Sequence, residues 1–168
     1  VVHSATKYLG GHGDLIAGAA MGSRDYMVDL WKARKILGGC IDPHAAWLLE
    51  RSLKTVTIRV ERACENARAV AEFLVKHPFV ERVHYPGLST HPEHALAKSQ
   101  MKDYGGMVTI ELAGDLSAAA RFVDSLTVFQ LAASLGGVES LVSVPAASSH
   151  FALTPEEDLP MSATTPRL

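Results

Sequence analysis

The sequence contains little cysteine, few aromatic residues and no excess of charge of either sign. Its 168 residues include two cysteines and 7% aromatic residues, and the formal net charge is −2. The spacing of Cys40 and Cys64 matches no zinc or redox motif, which suggests two buried thiols in a reducing compartment and predicts a cytoplasmic protein. Because no basic cluster is present, the composition does not support binding to nucleic acid or to a membrane surface.

Long apolar runs are missing as well. No stretch approaches the roughly 20 residues that a membrane-spanning helix requires. Residues 1–4 lack the charged segment that opens a signal peptide, so we expect none at this position. The chain is nevertheless 48% hydrophobic, and this composition predicts a globular protein with a packed core.

The hydrophobic periodicity predicts an α/β chain in two parts. A strand is predicted over 14–22, a helix over 23–37, and a long helical stretch from Pro43 to Lys76 that breaks near residues 55–58. Asp42 before Pro43 is typical of a helix start. Further along, strands are predicted over 79–85, 106–112, 128–132 and 141–144, with helices over 92–101 and over 117–126, the second capped by Ser117. We therefore predict the end of a large domain with its connecting helix in 1–58 and a smaller α+β domain in 59–168.

One lysine near the start is surrounded by hydroxyl residues and glycines, in the segment HSATKYLGGHGD. Ser4 and Thr6 precede Lys7, and a glycine-rich turn follows it. A lysine amine can form a Schiff base when burial or a nearby cation favours its neutral form. Pyridoxal phosphate requires such an amine for its aldehyde, together with hydroxyl or N–H donors for its phosphate. The pattern therefore indicates a candidate cofactor site, and a surface lysine in a polar turn is the structural alternative.

Four segments resemble the Cys/Met-metabolism family of pyridoxal-phosphate enzymes: HSATKYLGGHGD, DPHAAWLLERSLKTVTIR, HYPGL and SLGGVESLVSVPAASSH. This family includes cystathionine γ-synthases, cystathionine β- and γ-lyases, methionine γ-lyases and O-acyl-homoserine sulfhydrylases. The resemblance covers essentially the whole chain. It implies the C-terminal portion of a fold-type I, aspartate-aminotransferase-like enzyme, with a remnant of the large cofactor-binding domain in 1–58 and an α+β domain, incomplete at its end, in 59–168.

The resemblance also implies roles for individual residues. Lys7 would carry pyridoxal 5′-phosphate as an aldimine and later move protons, and Ser4 and Thr6 would bind the phosphate. Ser134 and Ser149 would contact the α-carboxylate of the substrate. The family residues that stack on the cofactor ring, pair with its nitrogen and reach across a dimer precede the matched segment. Arg167 lies where the family commonly has glycine, so it is not expected to be the carboxylate-binding arginine.

Ala133, which precedes the SLGG motif, bears on the type of reaction. Cystathionine γ-synthases and γ-lyases often carry glutamate there, which can meet the distal amino group of cystathionine, and alanine removes that charge-assisted contact. Alanine therefore favours a carbon–sulfur lyase or sulfhydrylase that acts on simpler side chains, as in methionine γ-lyases. From the resemblance as a whole we predict a carbon–sulfur lyase such as a methionine γ-lyase or a cystathionine lyase. A cystathionine γ-synthase or sulfhydrylase, which are transferases, is the alternative. Either would act on small molecules as a homo-oligomer, a dimer of dimers.

Two further alternatives are open. The first is that the chain alone is a catalytically inactive, truncated fragment that acts only as a structural or dimerising domain. Residues 1–50 alone are expected to be poorly soluble because their apolar faces lack cover. A metal site is the second alternative, since His84, His91 and His94 lie close in sequence with Glu93 beside them. Such spacing produces many false matches, and no metal site is predicted.

Overall fold

The computed structural model describes residues 1–148 and divides the chain into two compact units. Unit 1 comprises Val1–Arg59 together with Gly136–Val138, and unit 2 comprises Val60–Leu135 together with the residues from Glu139 onward. Of the residues singled out above, Ser149 and Arg167 lie outside the described part. The assignment of 1–58 and 59–168 to two family domains stays a prediction.

Unit 1 begins with a short antiparallel strand pair. Strand β1 (Val2–Ser4) lies opposite β2 (Gly18–Ala20), with Val2 facing Ala20. The strand predicted over 14–22 is therefore wrong in length, and β1 was not predicted. All three residues of β1 are exposed, so no alternation of buried and exposed positions marks it in the sequence.

Two helices follow in unit 1, and a third begins there. Helix α1 (Arg24–Leu37) confirms the helix predicted over 23–37, and it ends at Gly38, whose φ of 77° is the left-handed conformation that glycine adopts most easily. Helix α2 (Pro43–Leu53) starts where Asp42 accepts hydrogen bonds from the N–H of His44 at 2.9 Å and of Ala45 at 3.0 Å. Helix α3 (Val56–Leu74) follows after a break at residues 54–55, next to the predicted kink.

Unit 2 combines helices with short strand pairs. After α3 come β3 (Val80–His84), α4 (His94–Gln100), β4 (Thr109–Leu112), α5 (Leu116–Asp124), β5 (Gln130–Leu131) and β6 (Leu141–Val142). Strands β3 and β4 pair antiparallel with an irregularity between Val80 and Arg82, whereas β5 and β6 pair in parallel. Helix α5 is capped by Asp115, which accepts from the N–H of Ala118 at 3.0 Å. The prediction that Ser117 caps it is wrong, because Ser117 already lies inside the helix.

The hydrophobic core of unit 2 is continuous. One face of α3 contributes residues at the three- and four-residue spacing of an amphipathic helix, and β4 and α5 contribute further members. The buried members are Ala67, Ala71, Leu74, Tyr85, Val108, Ile110, Leu112, Ala119, Val123, Val142 and Val144.

The HYPGL segment packs into this core through Tyr85, which is fully buried. Its hydroxyl donates to the carbonyl of Gly105 at 3.2 Å, and burial raises the pKa of Tyr85 to about 12. Gly87 lies against the ring, since a Cβ at this position would be 2.5 Å from the Tyr85 Cε1 atom. The glycine of this segment therefore makes room for the tyrosine.

The cysteines differ from each other in environment. Cys64 is buried, and its burial raises the pKa of the thiol, but Cys40 is exposed. The expectation of two buried thiols is thus wrong for Cys40, which lies in the glycine-rich link between α1 and α2. Separately, among the described residues no helix combines the length and the apolar character needed to cross a bilayer.

Candidate functional site

Lys7 lies in a wide helical turn between β1 and β2, formed by Ala5–Leu9 and called here the lysine turn. The helical backbone is interrupted at Lys7 itself, where φ is −91° and ψ is −125°. Two hydrogen bonds close the turn, from the N–H of Gly10 to the carbonyl of Ala5 at 2.8 Å and from the N–H of Gly11 to the carbonyl of Lys7 at 2.7 Å. Ala5 is completely buried beneath the turn, and Lys7 is half-buried.

Thr6 fixes the side of the turn that precedes Lys7. Its backbone N–H donates to the carbonyl of Ala17 at 3.1 Å, and its Oγ1 accepts from the Ala17 N–H at 3.0 Å and donates to the Ala17 carbonyl at 3.3 Å. The Thr6 hydroxyl would have to release that carbonyl before donating to a phosphate oxygen. Ser4, by contrast, is exposed and makes no side-chain capping bond to the turn, so its hydroxyl is the more available donor.

The glycine-rich turn after Lys7 is tied to helix α2. Nδ1 of His12 donates to the carbonyl of Gly10 at 2.7 Å and lies 3.2 Å from Oγ of Ser52. Ser52 is the buried polar residue on α2, with 3% of its surface exposed. This turn therefore has a defined anchor on the helix.

Arg59, near the start of α3, contacts the lysine turn directly, and sequence reasoning missed it. Its Nη1 donates to the carbonyl of Tyr8 at 2.9 Å, and its Nη2 lies 3.5 Å from the carbonyl of Leu9. The signal that was available is modest: Arg59 ends the DPHAAWLLERSLKTVTIR segment that carries the family resemblance. Nothing local in the sequence relates it to a carbonyl about fifty residues earlier.

Gly136, the first glycine of the SLGG motif, packs on the peptide bond between Lys7 and Tyr8. A Cβ at Gly136 would lie 2.6 Å from the nitrogen of Tyr8 and 3.0 Å from the carbonyl carbon of Lys7. Its φ of 76° also favours glycine. The motif thus supplies a close backbone approach to Lys7 that only a residue without a side chain permits.

The predicted site residues are distributed unevenly. Ser4, Thr6 and Lys7 lie together at the lysine turn in unit 1. Ser134 is exposed and belongs to unit 2. Ser149 lies outside the described residues. The cofactor-binding and substrate-binding roles of all five stay predictions.

The histidines of the alternative metal site have separate partners. Nε2 of His84 is 2.6 Å from Oε1 of Glu111, and Nδ1 of His94 donates to the carbonyl of Pro86 at 2.8 Å. Nδ1 of His91 accepts from the backbone N–H of Glu93 at 3.2 Å. Within residues 1–148, no group of three or more histidine, cysteine or acidic side chains is arranged to hold a metal ion.

Comparisons with known proteins agree on one family. The model of the Cys/Met metabolism PLP-dependent enzymes matches residues 1–166. L-Methionine γ-lyase of Pseudomonas putida is 46% identical over 159 residues, which cover 94% of this chain and 40% of that protein. Cystathionine γ-synthase 1, chloroplastic, of Arabidopsis thaliana is also 46% identical over 159 residues, covering 95% of this chain and 28% of the relative.

A solved structure gives the same result for the fold. The cystathionine γ-synthase of Xanthomonas oryzae pv. oryzae, crystallised with aminoacrylate and cysteine, matches with a TM-score of 0.89 and 44% sequence identity. The match covers 99% of this chain and 44% of that one. It confirms the predicted fold class, a portion of a PLP-dependent transferase fold. The chain spans less than half the length of these relatives.

Proposed function

The chain belongs to the Cys/Met-metabolism family of PLP-dependent enzymes, and from this premise we propose that the complete protein is a carbon–sulfur lyase for a sulfur amino acid. The observation that carries the proposal is the family match over residues 1–166, which includes Lys7 and its hydroxyl neighbours. The membership confirms pyridoxal 5′-phosphate as the cofactor. Methionine and cystathionine are the proposed substrates.

The donor set of the lysine turn fits this cofactor. The cofactor aldehyde bonds to an amine, and Lys7, which is half-buried, supplies one. Hydrogen bonds made by Thr6 and by the Gly11 N–H hold the backbone on either side of Lys7. A phosphate requires hydrogen-bond donors. The exposed Ser4 hydroxyl is one such donor, and the Thr6 hydroxyl becomes a second when it no longer donates to the Ala17 carbonyl. The Tyr8 and Leu9 carbonyls, which would repel a phosphate, are engaged by the Arg59 guanidinium instead.

In the proposed reaction, Lys7 holds the cofactor and then acts as the base. When bound, pyridoxal phosphate supplies an electron sink for negative charge that develops at the substrate Cα. Nζ of Lys7, when not bonded to the cofactor, would take the Cα proton, since a positioned neutral amine is a competent general base. Ser4 and Thr6 keep the phosphate end fixed while the proton moves, which preserves the alignment that proton transfer needs.

Substrate binding is proposed for Ser134 and Ser149, on the strength of the SLGG and AASSH segments. Their hydroxyls would donate to the substrate α-carboxylate, which accepts only. Ala133, which precedes Ser134 in the sequence, carries no charge for a second amino group, which favours methionine over cystathionine as substrate. The methionine γ-lyase relative supports this direction.

A transferase is the second candidate, and a specific observation favours it. The Arabidopsis relative and the Xanthomonas structure are both cystathionine γ-synthases, at 46% and 44% identity. In that case the protein would replace the acyloxy group of an O-acyl-homoserine with a thiol, forming a Cγ–S bond and releasing the acyl group as a carboxylic acid, instead of releasing a keto acid and ammonia.

The proposal is tested by locating the cofactor in the complete protein. Borohydride reduction after loading with pyridoxal phosphate, followed by peptide mapping, is expected to place the label on Lys7. Lys7→Ala should remove the label, and Lys54→Ala, an exposed lysine at the end of α2, should keep it. A label elsewhere, or none, would overturn the enzymatic proposal in favour of a non-catalytic structural or dimerising chain.

A substrate panel then distinguishes lyase from transferase. The lyase proposal predicts that cleavage of a C–S bond of methionine or cystathionine releases one thiol, one keto acid and one ammonia. Preferential use of an O-acyl-homoserine with a thiol or sulfide would establish the transferase instead.

Assembly and location are part of the same proposal. We infer a homo-oligomer, a dimer of dimers, from the family resemblance, and light scattering of the complete protein would measure it. A cytoplasmic location is supported by two cysteines that are both free thiols, and fractionation of the source cells tests it.

A further inference from the structure

The Arg59 side chain makes more hydrogen bonds than stabilising one helix start would require. Besides the carbonyls of Tyr8 and Leu9, its Nη2 donates to the carbonyl of Ser52 at 2.9 Å and its Nε to Oγ1 of Thr55 at 3.1 Å. One guanidinium therefore joins the lysine turn, the end of α2 and the start of α3. Its fixed fork of donors suits such a role, which a flexible ammonium group fills poorly.

Gly11 provides the space that this guanidinium occupies. Gly11 has a φ of +69°, and a Cβ there would be 1.8 Å from Nη1 of Arg59. The positive φ and the overlap are separate reasons for glycine at this position. Arg59 is half-buried, and this burial lowers the pKa of its guanidinium.

Lys7 lies between peptide groups that are held from three directions. Thr6 is bonded to Ala17 on the preceding side, Arg59 holds the Tyr8 carbonyl on the following side, and Gly136 packs on the Lys7–Tyr8 peptide. Since the turn is not helical at Lys7 itself, regular helical hydrogen bonding alone does not set the direction of its Cα–Cβ bond. That direction is set by the hydrogen bonds of Thr6 to Ala17 and of Arg59 to the Tyr8 carbonyl.

We propose that Arg59 is a positioning residue for the Lys7 amine, acting through the Tyr8 and Leu9 carbonyls. Loss of the guanidinium frees the peptide that follows Lys7 and misdirects the amine without removing it. This inference rests on the proposed role of Lys7 and adds a residue that determines how fast the amine captures an aldehyde. A purely structural Arg59 would instead affect only the stability of the fold.

The experiment uses the complete protein and compares Arg59→Met with Arg59→Lys. Pyridoxal phosphate is added to cofactor-free protein, and the rate of borohydride-trappable label on Lys7 is followed by mass spectrometry at a temperature where both variants are folded. Arg59→Met is expected to slow labelling about tenfold and to raise amide exchange at Gly10 and Gly11 by a similar factor, as expected when hydrogen bonds from a charged donor are lost. Arg59→Lys, which keeps the charge and one donor direction, should fall between wild type and methionine.

Arg62→Met is the matched control, because Arg62 lies on the same helix with 72% of its side chain exposed. It should leave both readouts unchanged. Gly11→Ala tests the proposal with Arg59 in place, since the added methyl group displaces the guanidinium. Labelling should slow more than in Gly13→Ala, which introduces alanine at a similar φ of +68° with nothing within 4 Å of the added Cβ. If Arg59→Met does not fold, Arg59→Lys and Gly11→Ala carry the test.

The inference is overturned if the Arg59 variants fold and have a lower melting temperature, but label Lys7 at the wild-type rate and show wild-type amide exchange at Gly10 and Gly11. This outcome is distinct from failure of the proposed function. If no variant, wild type included, is labelled on Lys7, the role of Lys7 fails, while exchange at Gly10 and Gly11 still reports whether Arg59 holds the turn.

Discussion

The two units are stabilised by different means. In the part of unit 2 that the structure describes, eleven residues are buried in one apolar core. In unit 1, no residue of α1 is buried, Ile16 is 89% exposed and Trp31 is 53% exposed. In unit 1, side-chain hydrogen bonds made by Thr6 and Arg59 instead hold the residues around Lys7. Hydrophobic burial thus organises the unit without the proposed catalytic lysine, and hydrogen bonding organises the surroundings of that lysine.

The exposed apolar residues of unit 1 have an energetic consequence. An isolated helix the length of α1 is marginal in water, and most helical stability in proteins comes from packing of an apolar face. The described residues do not supply that packing for α1. The stability of unit 1 should therefore depend, far more than that of unit 2, on burying its exposed apolar residues against further protein surface.

The two units should differ most in cooperativity of unfolding and in solubility when each is studied as a separate segment. The segment 60–168 is expected to unfold cooperatively on heating, because it retains nearly all of the apolar core. The segment 1–59 is expected to show no cooperative transition and to precipitate at micromolar concentration. Circular dichroism and sedimentation measure both, and a soluble, cooperatively folded 1–59 would remove the contrast.

A matched pair of isoleucine substitutions compares the two environments directly. Ile110→Ala, at a position with no exposed surface, should lower the free energy of unfolding by about 2–5 kcal/mol through lost burial and a cavity. Ile16→Ala should change it by less than about 0.5 kcal/mol. Urea unfolding followed by circular dichroism is the appropriate measurement, since both tryptophans lie in unit 1. Equal costs at the two sites would contradict the distinction.

Alkaline pH should weaken unit 2 through Tyr85. In the unfolded chain this phenol ionises near pH 10.0, whereas burial keeps it protonated to about 12 in the folded protein. The unfolded state therefore releases a proton first, and stability falls as pH rises through this window, by about 2 kcal/mol at its upper end. Urea titrations at pH 9, 10 and 11 should show a flatter dependence for Tyr85→Phe. Tyr26→Phe, at an exposed position in unit 1, should keep the wild-type slope.

Helix caps should show the smallest difference between the units. Asp42 in unit 1 and Asp115 in unit 2 both accept from helical N–H groups, so Asp42→Ala and Asp115→Ala should each cost about 1 kcal/mol. Ser23→Ala should cost only a few tenths by comparison, because Ser23 makes no side-chain capping bond. Amide exchange in the first turn of each helix measures this. A large cost at Ser23 would mean that a cap forms there in solution.

Local signals predicted the parts of the fold that local chemistry determines. Asp42 before Pro43 predicted the start of α2. The β-branched run at 55–58 predicted a break, and the observed break at 54–55 overlaps that run at residue 55. The hydroxyls and glycines around Lys7 identified the candidate site. These features depend on residues within a few positions of one another, which is the range that sequence patterns report well.

Contacts between distant residues were not predictable in the same way. Arg59 reaches Tyr8 from far along the chain, and Gly136 reaches the Lys7–Tyr8 peptide from farther still. Neither residue has a neighbourhood that differs from an ordinary helix or a glycine-rich loop. Strand β1 escaped prediction because its three residues are all exposed.

The placement of Gly136 has a consequence for how variants of this chain should be read. A protein could retain the complete HSATKY segment and yet carry a bulkier residue at 136, which would push on the peptide just after the reactive amine. Such a protein would look competent by its lysine motif and react poorly. The first glycine of SLGG is therefore as informative about the reactivity of the Lys7 amine as the residues adjacent to Lys7 in the sequence.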